Sequence, residues 1–477
     1  MQTGQPRGLS SDVYSRLLSI VGQSALITDA DELVPYLREQ RGNYQGHSQL
    51  CILPSTTQQV ADVVRTLYEA GIPMVPQGGN TGLCGGAVAA ESGEQVLINL
   101  KRMNRIRAVD ADNFTLTVEA GCILADVQAA ALAAERLFPL SLAAEGSCQI
   151  GGNLATNAGG TQVLRYGNAR ALCLGLEVVT ADGDVWDGLS GLRKDNTGYD
   201  LRDLFIGSEG TLGIITAATL ALSPQPAAVT TALAACDGVR SALALLDLAR
   251  NRLGAGLTGF ELMNRFSLDL VARHFPALPM PLAGAPWTVL LEQSDNEGEA
   301  QARSRFEALL SDALERGVIT DAVVAESLAQ SRALWHVRES IPLAQAEEGL
   351  NIKHDIAVPV SAIPAFVEQT DAALQTYRPG VRLVDFGHMG DGNLHYNVQA
   401  PAGEDGARFL AEHEHAINGI VYDAVQRFGG SISAEHGVGV LKRDELVQRK
   451  SPVAMALMRA LKHALDPAGR LNPGRVV

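Results

Sequence analysis

Gln77-Gly78-Gly79-Asn80-Thr81-Gly82-Leu83-Cys84-Gly85-Gly86 places five glycines in ten residues. Glycine lets successive backbone N–H groups converge on one point and so form a nest for an anion; the competing reading is a flexible surface turn. The stretch is neither the G-x-G-x-x-G of a Rossmann unit nor a Walker A loop, which ends in Gly-Lys-Ser/Thr. NAD on a Rossmann fold and ATP on a P-loop therefore lose support. Two further loops share the composition. One runs from Glu145-Gly146-Ser147 through Gly151-Gly152-Asn153-Leu154-Ala155-Thr156-Asn157-Ala158-Gly159-Gly160, and the other is Gly207-Ser208-Glu209-Gly210-Thr211-Leu212-Gly213. Three such loops suit an extended ligand that the backbone touches repeatedly. A long dinucleotide such as FAD fits this better than a small substrate.

Outward from these loops the pattern is mixed. Residues 50–53 read as a strand, Ser55-Thr56-Thr57-Gln58 cap a helix through Thr66 and Ala70, Gly71 stops it, and 72–75 read as the next strand. Residues 1–45 read as a helical lead-in. Strands are expected at 96–100, 106–109 and 115–119, an alanine-rich helix at 123–135, and a hairpin around Ala181-Asp182-Gly183-Asp184. Composition changes at Pro224-Gln225-Pro226, a domain boundary. Beyond it, strands at 228–235, 287–293, 352–359, 382–387 and 394–399 alternate with helices at 238–252, 299–315, 326–346, 361–377 and 406–428. A last helix covers 452–465. This reads as an antiparallel sheet with helices on one face. The class is α+β, with a first domain at 46–224, a second at 225–430, and 431–477 packing back on the first.

The chain has 477 residues, with 53 acids against 38 bases and a net charge of −15. That balance repels phosphate backbones and argues against nucleic-acid binding. No uninterrupted apolar window of about 18 residues exists, so no membrane-spanning helix is expected. The apolar stretch 17–21 follows Asp12 and lacks a basic leader, so no secretory signal is expected. Six scattered cysteines without a C-x-x-C pair read as reduced, buried thiols in a cytoplasmic protein.

The segments 76–86 and 146–160, together with Gly198-Tyr199-Asp200-Leu201 through 207–215, resemble the FAD-binding (PCMH-type) domain of the vanillyl-alcohol-oxidase-type flavoproteins. The tail Leu465-Asp466-Pro467 to Leu471-Asn472-Pro473 fits the same family. Within it the chain resembles the D-2-hydroxyglutarate and D-lactate dehydrogenase branch. Leu192-Arg193-Lys194-Asp195-Asn196-Thr197-Gly198-Tyr199-Asp200 is similar to the hydroxyglutarate side. The resemblance implies a two-domain fold with an antiparallel-sheet substrate (cap) domain, and FAD laid along the first domain with its ring at the second. It implies FAD contacts from Pro76, Gly78, Gly79, Asn80, Thr81, Gly82, Leu142, Gly146, Ser147, Gly151, Gly152, Asn153, Thr156, Asn157, Gly159, Gly160, Glu209, Gly210, Gly213, Ile214, Ile215 and Asn472. Gln77 precedes the first glycine pair and offers no histidine for a covalent link, so non-covalent FAD is expected.

Eight of the ten histidines lie beyond residue 330. Gly390-Asp391-Gly392-Asn393 is a turn that can bring His388 and His395 side by side, with Asn397 on the same strand face as His395. Two imidazoles with a carboxylate make a usual zinc or manganese set, and Glu435 is the obvious third ligand. The alternative is a pair of core histidines satisfied by backbone groups. His436 follows Glu435, so one can hold metal while the other faces substrate as a base. The resemblance implies the same roles: His388, His395 and Glu435 on a divalent metal, Zn²⁺ ahead of Mn²⁺, His436 as base, and Asn397 near the substrate.

The resemblance also puts substrate-carboxylate contacts at Arg338 and Lys353. Its hydroxyglutarate members carry a threonine four residues after the arginine, where this chain has Pro342. Two cations exceed what one carboxylate needs, so a second carboxylate would balance them. The expected reaction is oxidation of a D-2-hydroxy acid, D-2-hydroxyglutarate or D-malate first, by hydride transfer to the flavin. A D-lactate dehydrogenase and a non-redox transferase on the same flavin fold are the alternatives. Of partners, the resemblance implies a soluble electron acceptor such as electron-transfer flavoprotein; a homodimer is compatible with the sequence. His274, His336, His354, His413 and His415 read as structural or solvated, and Glu347-Glu348 as a solvated helix end.

Overall fold

The computed structural model describes residues 9–477, so the first eight residues of the helical lead-in lie outside the described residues. The chain divides into two compact units, 1–159 with 168–224 and 435–477, and 160–167 with 225–434. Residues 160–167, which sequence places in the first domain, cluster with the second unit.

In the first unit, Thr56 accepts from the Gln59 N–H and starts the helix Thr57–Glu69. That helix connects Cys51–Ile52 to Met74–Gln77. Both strands pair in parallel with Val96–Asn99, and Leu26–Ile27 adds an antiparallel edge. A second sheet is antiparallel, in the order Ile106–Asp110, Thr115–Glu119, Ile214–Ala221, Cys173–Val179, Val185–Gly188. The C-terminal segment returns to the first sheet, where the Asn472 N–H donates to Met74 O at 2.7 Å.

In the second unit an antiparallel sheet runs Asp321–Val324, Ala228–Cys236, Trp287–Asp295, Leu257–Asn264, Arg382–His388, Asn393–Gln399, Asn351–Ile352, with Asp355–Ala357 also on Asn393–Gln399. The expectation of helices on one face is corrected. Ala232, Ala234, Phe260 and Leu262 pack with Val239–Leu253, Glu299–Glu315, Ile363–Tyr377 and Gly406–Arg427, while Leu233, Met263, Val384 and Phe386 pack with Arg265–His274, Leu328–Glu339 and Ile341–Glu348. Helices therefore cover both faces, which is why the central strands are apolar on both sides.

Three further expectations change. The helix at 326–346 is two helices, Leu328–Glu339 and Ile341–Glu348, because Pro342 fits only the first turn of a new helix. The strand at 352–359 is two short ones, Asn351–Ile352 and Asp355–Ala357. Glu348 is not a solvated end: it accepts from Arg273, His274 and Arg382, which hold its carboxyl down at about 2 against the upward push of burial.

Candidate functional site

In the first unit the glycine loops converge on one cleft that is open to solvent. Its lining includes Pro76, Gly78, Gly79, Asn80, Thr81, Gly82, Gly151, Gly152, Asn153, Thr156, Gly210, Gly213, Ile214 and Ile215, as well as Glu209 and His436. No backbone N–H from Gly78 to Gly82 donates to a protein acceptor among the described residues. Five consecutive backbone donors are left without a protein acceptor there, as an anion nest requires. Asn80 is held at positive φ by its side chain, which donates to Pro35 O and Arg38 O. Gly79 is needed because a Cβ there would sit 2.2 Å from Ser147 O, so the first two loops touch backbone to backbone. At Gly152 a Cβ would meet nothing within 4 Å; it would simply occupy the cleft. A dinucleotide fits this donor set and this opening.

Sequence missed Gln149, which also lines the cleft. Its buried Oε1 has no partner among the described residues, an acceptor ready for a ligand N–H. Only its place inside a glycine loop could have signalled it. Gln77 is stapled to Tyr36 O, Ala87 O and Asn99.

Several residues expected at the cofactor do not line this cleft. The Leu142 backbone N–H donates to Glu145 Oε1 and the Ser147 hydroxyl to Ala144 O, bonds within the 142–147 loop. Gly146, Asn157, Gly159, Gly160 and Asn472 also lie off the cleft lining. Asn157 accepts from Arg170 N, and Gly159 leaves room for the Glu435 carboxylate. Asn472 donates to Gly86 O and Glu209 O, tying the C-terminus to two loops. Glu209 lines the cleft, but its carboxylate is spent: it accepts from Val438 N and Gly439 N, both at 2.7 Å. Burial pushes its carboxyl up, against these N–H groups and Lys442. Gly437, whose Cβ would come within 2.8 Å of Glu209 Oε1, lets the segment close on it and sets His436 at the cleft.

In the second unit, strands Arg382–His388 and Asn393–Gln399 form a hairpin whose turn is closed by Asp391 N and Gly392 N on His388 O. Phe386 lies opposite His395, and the His388 and His395 rings stand edge to face, centroids 5.6 Å apart. On the other side Glu261 pairs in register with His388. Its Oε1 lies 2.6 Å from His388 Nδ1 and its Oε2 accepts from Arg338 Nε at 2.8 Å. Burial would raise the Glu261 carboxyl, but the charges of His388 and Arg338 outweigh it and bring it to about 2. Nδ1 is thereby committed, so any cation would bind through Nε2. Arg338 also lies over the Phe386 ring at 4.7 Å. His395 Nδ1 is 3.8 Å from Asp355 Oδ1.

Glu261 and Asp355 were not singled out from sequence. Glu261 is a lone acid in an apolar run and Asp355 follows Lys353-His354, and only strand register brings them beside the histidines. Asn397 is buried, accepting from His354 N and donating to Gln345. Lys353 lies in the break between two short strands, half-buried. His354 holds Tyr396 O and Asn418, a structural role. Glu435 and His436 belong to the first unit. The charge count at Arg338 is corrected: Glu261 already balances it, so it is not surplus.

A family model described as an FAD binding domain matches residues 48–188, and the C-terminal domain of FAD linked oxidases matches 225–476. The chain is 38% identical over 473 residues to the mitochondrial D-2-hydroxyglutarate dehydrogenase of Arabidopsis thaliana, covering 98% of this chain and 82% of that one. It is 40% identical over 466 residues to the D-2-hydroxyglutarate dehydrogenase of Xanthomonas citri pv. viticola, covering 97% and 96%. The solved p-cresol methylhydroxylase with substrate bound superposes with a TM-score of 0.78 at 18% identity, over 99% of this chain and 98% of that one. That likeness shows the fold: a PCMH-type FAD-binding domain with an antiparallel-sheet second domain.

Proposed function

The chain belongs to the FAD-linked oxidases, and from that footing we propose that it oxidises a D-2-hydroxy acid to the 2-oxo acid, with D-2-hydroxyglutarate or D-malate preferred. One observation carries the reading: Glu261 joins Arg338 to His388, beside His395. An anion clamp and a paired-imidazole donor set are what an α-hydroxy acid requires.

The glycine cleft lined by Gly78, Gly79, Gly82, Gly151, Gly152 and Gly210 would hold FAD non-covalently, and the flavin would supply the two-electron acceptor for the C2 hydride. A divalent cation, Zn²⁺ or Mn²⁺, held by His388, His395 and Glu435 would supply a Lewis acid for the hydroxyl. Glu435 enters on the resemblance; the histidine pair is supported by its geometry, since a carboxylate on Nδ1 fixes the ring that ligates through Nε2. Arg338 would present its two terminal nitrogens to a carboxylate, because among the described residues only its Nε is bonded. Asn397 and Lys353 complete the substrate contacts, and His436 takes the hydroxyl proton on an imidazole nitrogen. Electrons leave to a soluble acceptor of the electron-transfer-flavoprotein kind. A cytoplasmic location accords with six free, buried cysteines, Cys51 and Cys173 pushed up to about 12 by burial and so inert as thiolates. Among the described residues no helix is long and apolar enough to cross a membrane.

D-Lactate remains the second reading, favoured by the Arg338–Glu261 pair, which removes one unbalanced cation, and by Pro342, which offers no hydroxyl. An anaerobic panel of D- and L-2-hydroxy acids, followed by loss of flavin absorbance, separates them. Bleaching by D-2-hydroxyglutarate or D-malate ahead of D-lactate supports the proposal. Faster reduction by D-lactate selects the second reading, and reduction by no hydroxy acid rejects both.

A further inference from the structure

Gln345 is wholly buried on the helix Ile341–Glu348, seven residues beyond Arg338. A chain of hydrogen bonds fixes how its amide points. The backbone N–H of His354 is a donor, so the Asn397 atom 3.0 Å from it is the carbonyl Oδ1. Asn397 must then turn its Nδ2 donor to Gln345, and the atom it meets at 2.9 Å is the acceptor Oε1. Neither amide can be flipped without setting donor against donor. Gln345 Nε2 is therefore directed away from Asn397, and it is buried with no acceptor among the described residues. Native proteins rarely leave such a group unpaired unless a ligand or water completes it. Its neighbours are residues of the substrate face: Asn397 lies two positions from His395 on one strand, and the helix follows directly on the one carrying Arg338.

We propose that Gln345 is a specificity-determining residue whose Nε2 donates to an oxygen on the part of the substrate remote from the oxidised carbon, the second carboxylate of a dicarboxylic D-2-hydroxy acid. The inference rests on the function proposed above. It supplies from Gln345 a donor that Pro342, three residues earlier, cannot give. A site with a buried donor discriminates strongly against a ligand that leaves it unpaired.

The test is Gln345→Met, close in volume but without a donor, with FAD content and thermal stability matched to the parent. The readout is the ratio of kcat/KM for flavin reduction by D-2-hydroxyglutarate to that by D-lactate. Where D-lactate is too slow, the ratio of dissociation constants for 2-oxoglutarate and pyruvate, read from flavin spectral shifts, replaces it. The ratio should fall by about tenfold or more, the worth of a hydrogen bond to a charged group. If Gln345 serves only to hold Asn397, both substrates suffer together and the ratio stays within about threefold, which overturns the proposal. Should Gln345→Met fail to fold, Gln345→Glu at pH 8 keeps an acceptor for Asn397, opposes a second carboxylate, and is read the same way. A parent enzyme that no D-2-hydroxy acid reduces rejects the proposed function and this inference together. A parent that is reduced, with a variant whose ratio is unmoved, rejects the inference alone.

Discussion

Glu261 serves two side chains, and its loss should separate their roles. In Glu261→Gln the amide can still accept from Arg338 Nε, but its other end is a donor and cannot receive the His388 Nδ1 proton. The ring then loses the partner that directs Nε2 outward. We expect divalent-cation affinity to fall about 10–100-fold, the usual cost of removing such a partner, measured by chelator competition on the purified protein. The binding of FAD should not change, since the cleft lies in the other unit. Unchanged cation affinity would show that His388 is not a ligand. His436 is the complementary case. His436→Ala should keep FAD and cation while the rate of flavin reduction drops about 10²–10⁴-fold, the contribution of a general base. Stopped-flow reduction at saturating substrate decides it, and a near-parental rate would move the base elsewhere.

At the scale of loops and strands, the glycines of the cleft divide into two kinds. Gly79 is a packing glycine, because Ser147 O occupies the place of its Cβ; Gly152 faces open space. Gly79→Ala should therefore lower both stability and FAD affinity, as the two loops are forced apart. Gly152→Leu should leave the apo-protein folded with an unchanged melting temperature, yet weaken FAD binding at least about tenfold by filling the cradle. Titrating FAD into each apo-variant, beside its thermal unfolding, distinguishes the two; equal behaviour would contradict the division. The loops were legible in sequence because glycine clusters are local. The hairpin bearing His388 and His395 was legible because Gly390-Asp391-Gly392-Asn393 marks its turn. The strand Leu257–Asn264 was not legible. Buried on both faces, it shows no alternation, and Gly254, Gly256 and Gly259 imitate a loop. With it went Glu261, whose partners are 127 and 77 residues away. The break at Ser340 was hidden because the proline that starts the second helix sits in an unbroken helical pattern.

Over the whole molecule, an excess of acids giving −15 makes acidification relieve self-repulsion, so individual carboxyls decide where stability turns. Two in the second unit act in opposite directions. Glu348 is held at about 2: burial pushes it up, but bonds from His274, Arg382 and Arg273 pull it further down. Its folded value lies below the unfolded one of about 4.3, so its stabilisation is present above that pH and is lost as pH falls toward about 2. Asp371 is raised to about 6 by burial, with the Tyr396 hydroxyl only partly offsetting it. Its folded value lies above the unfolded one of about 3.9, so its ionisation penalises the fold fully above pH 6 and not at all below about 3.9. Asp371→Asn keeps an acceptor for Tyr396 and removes the charge. It should stabilise the protein by about 1–2 kcal/mol at pH 8 and by almost nothing at pH 4, where the parent carboxyl is already protonated. Urea midpoints of parent and variant at the two pH values measure this directly. The gain must shrink as pH falls from 8 to 4; a gain equal at both would mean that packing, and not ionisation, is what the substitution changes.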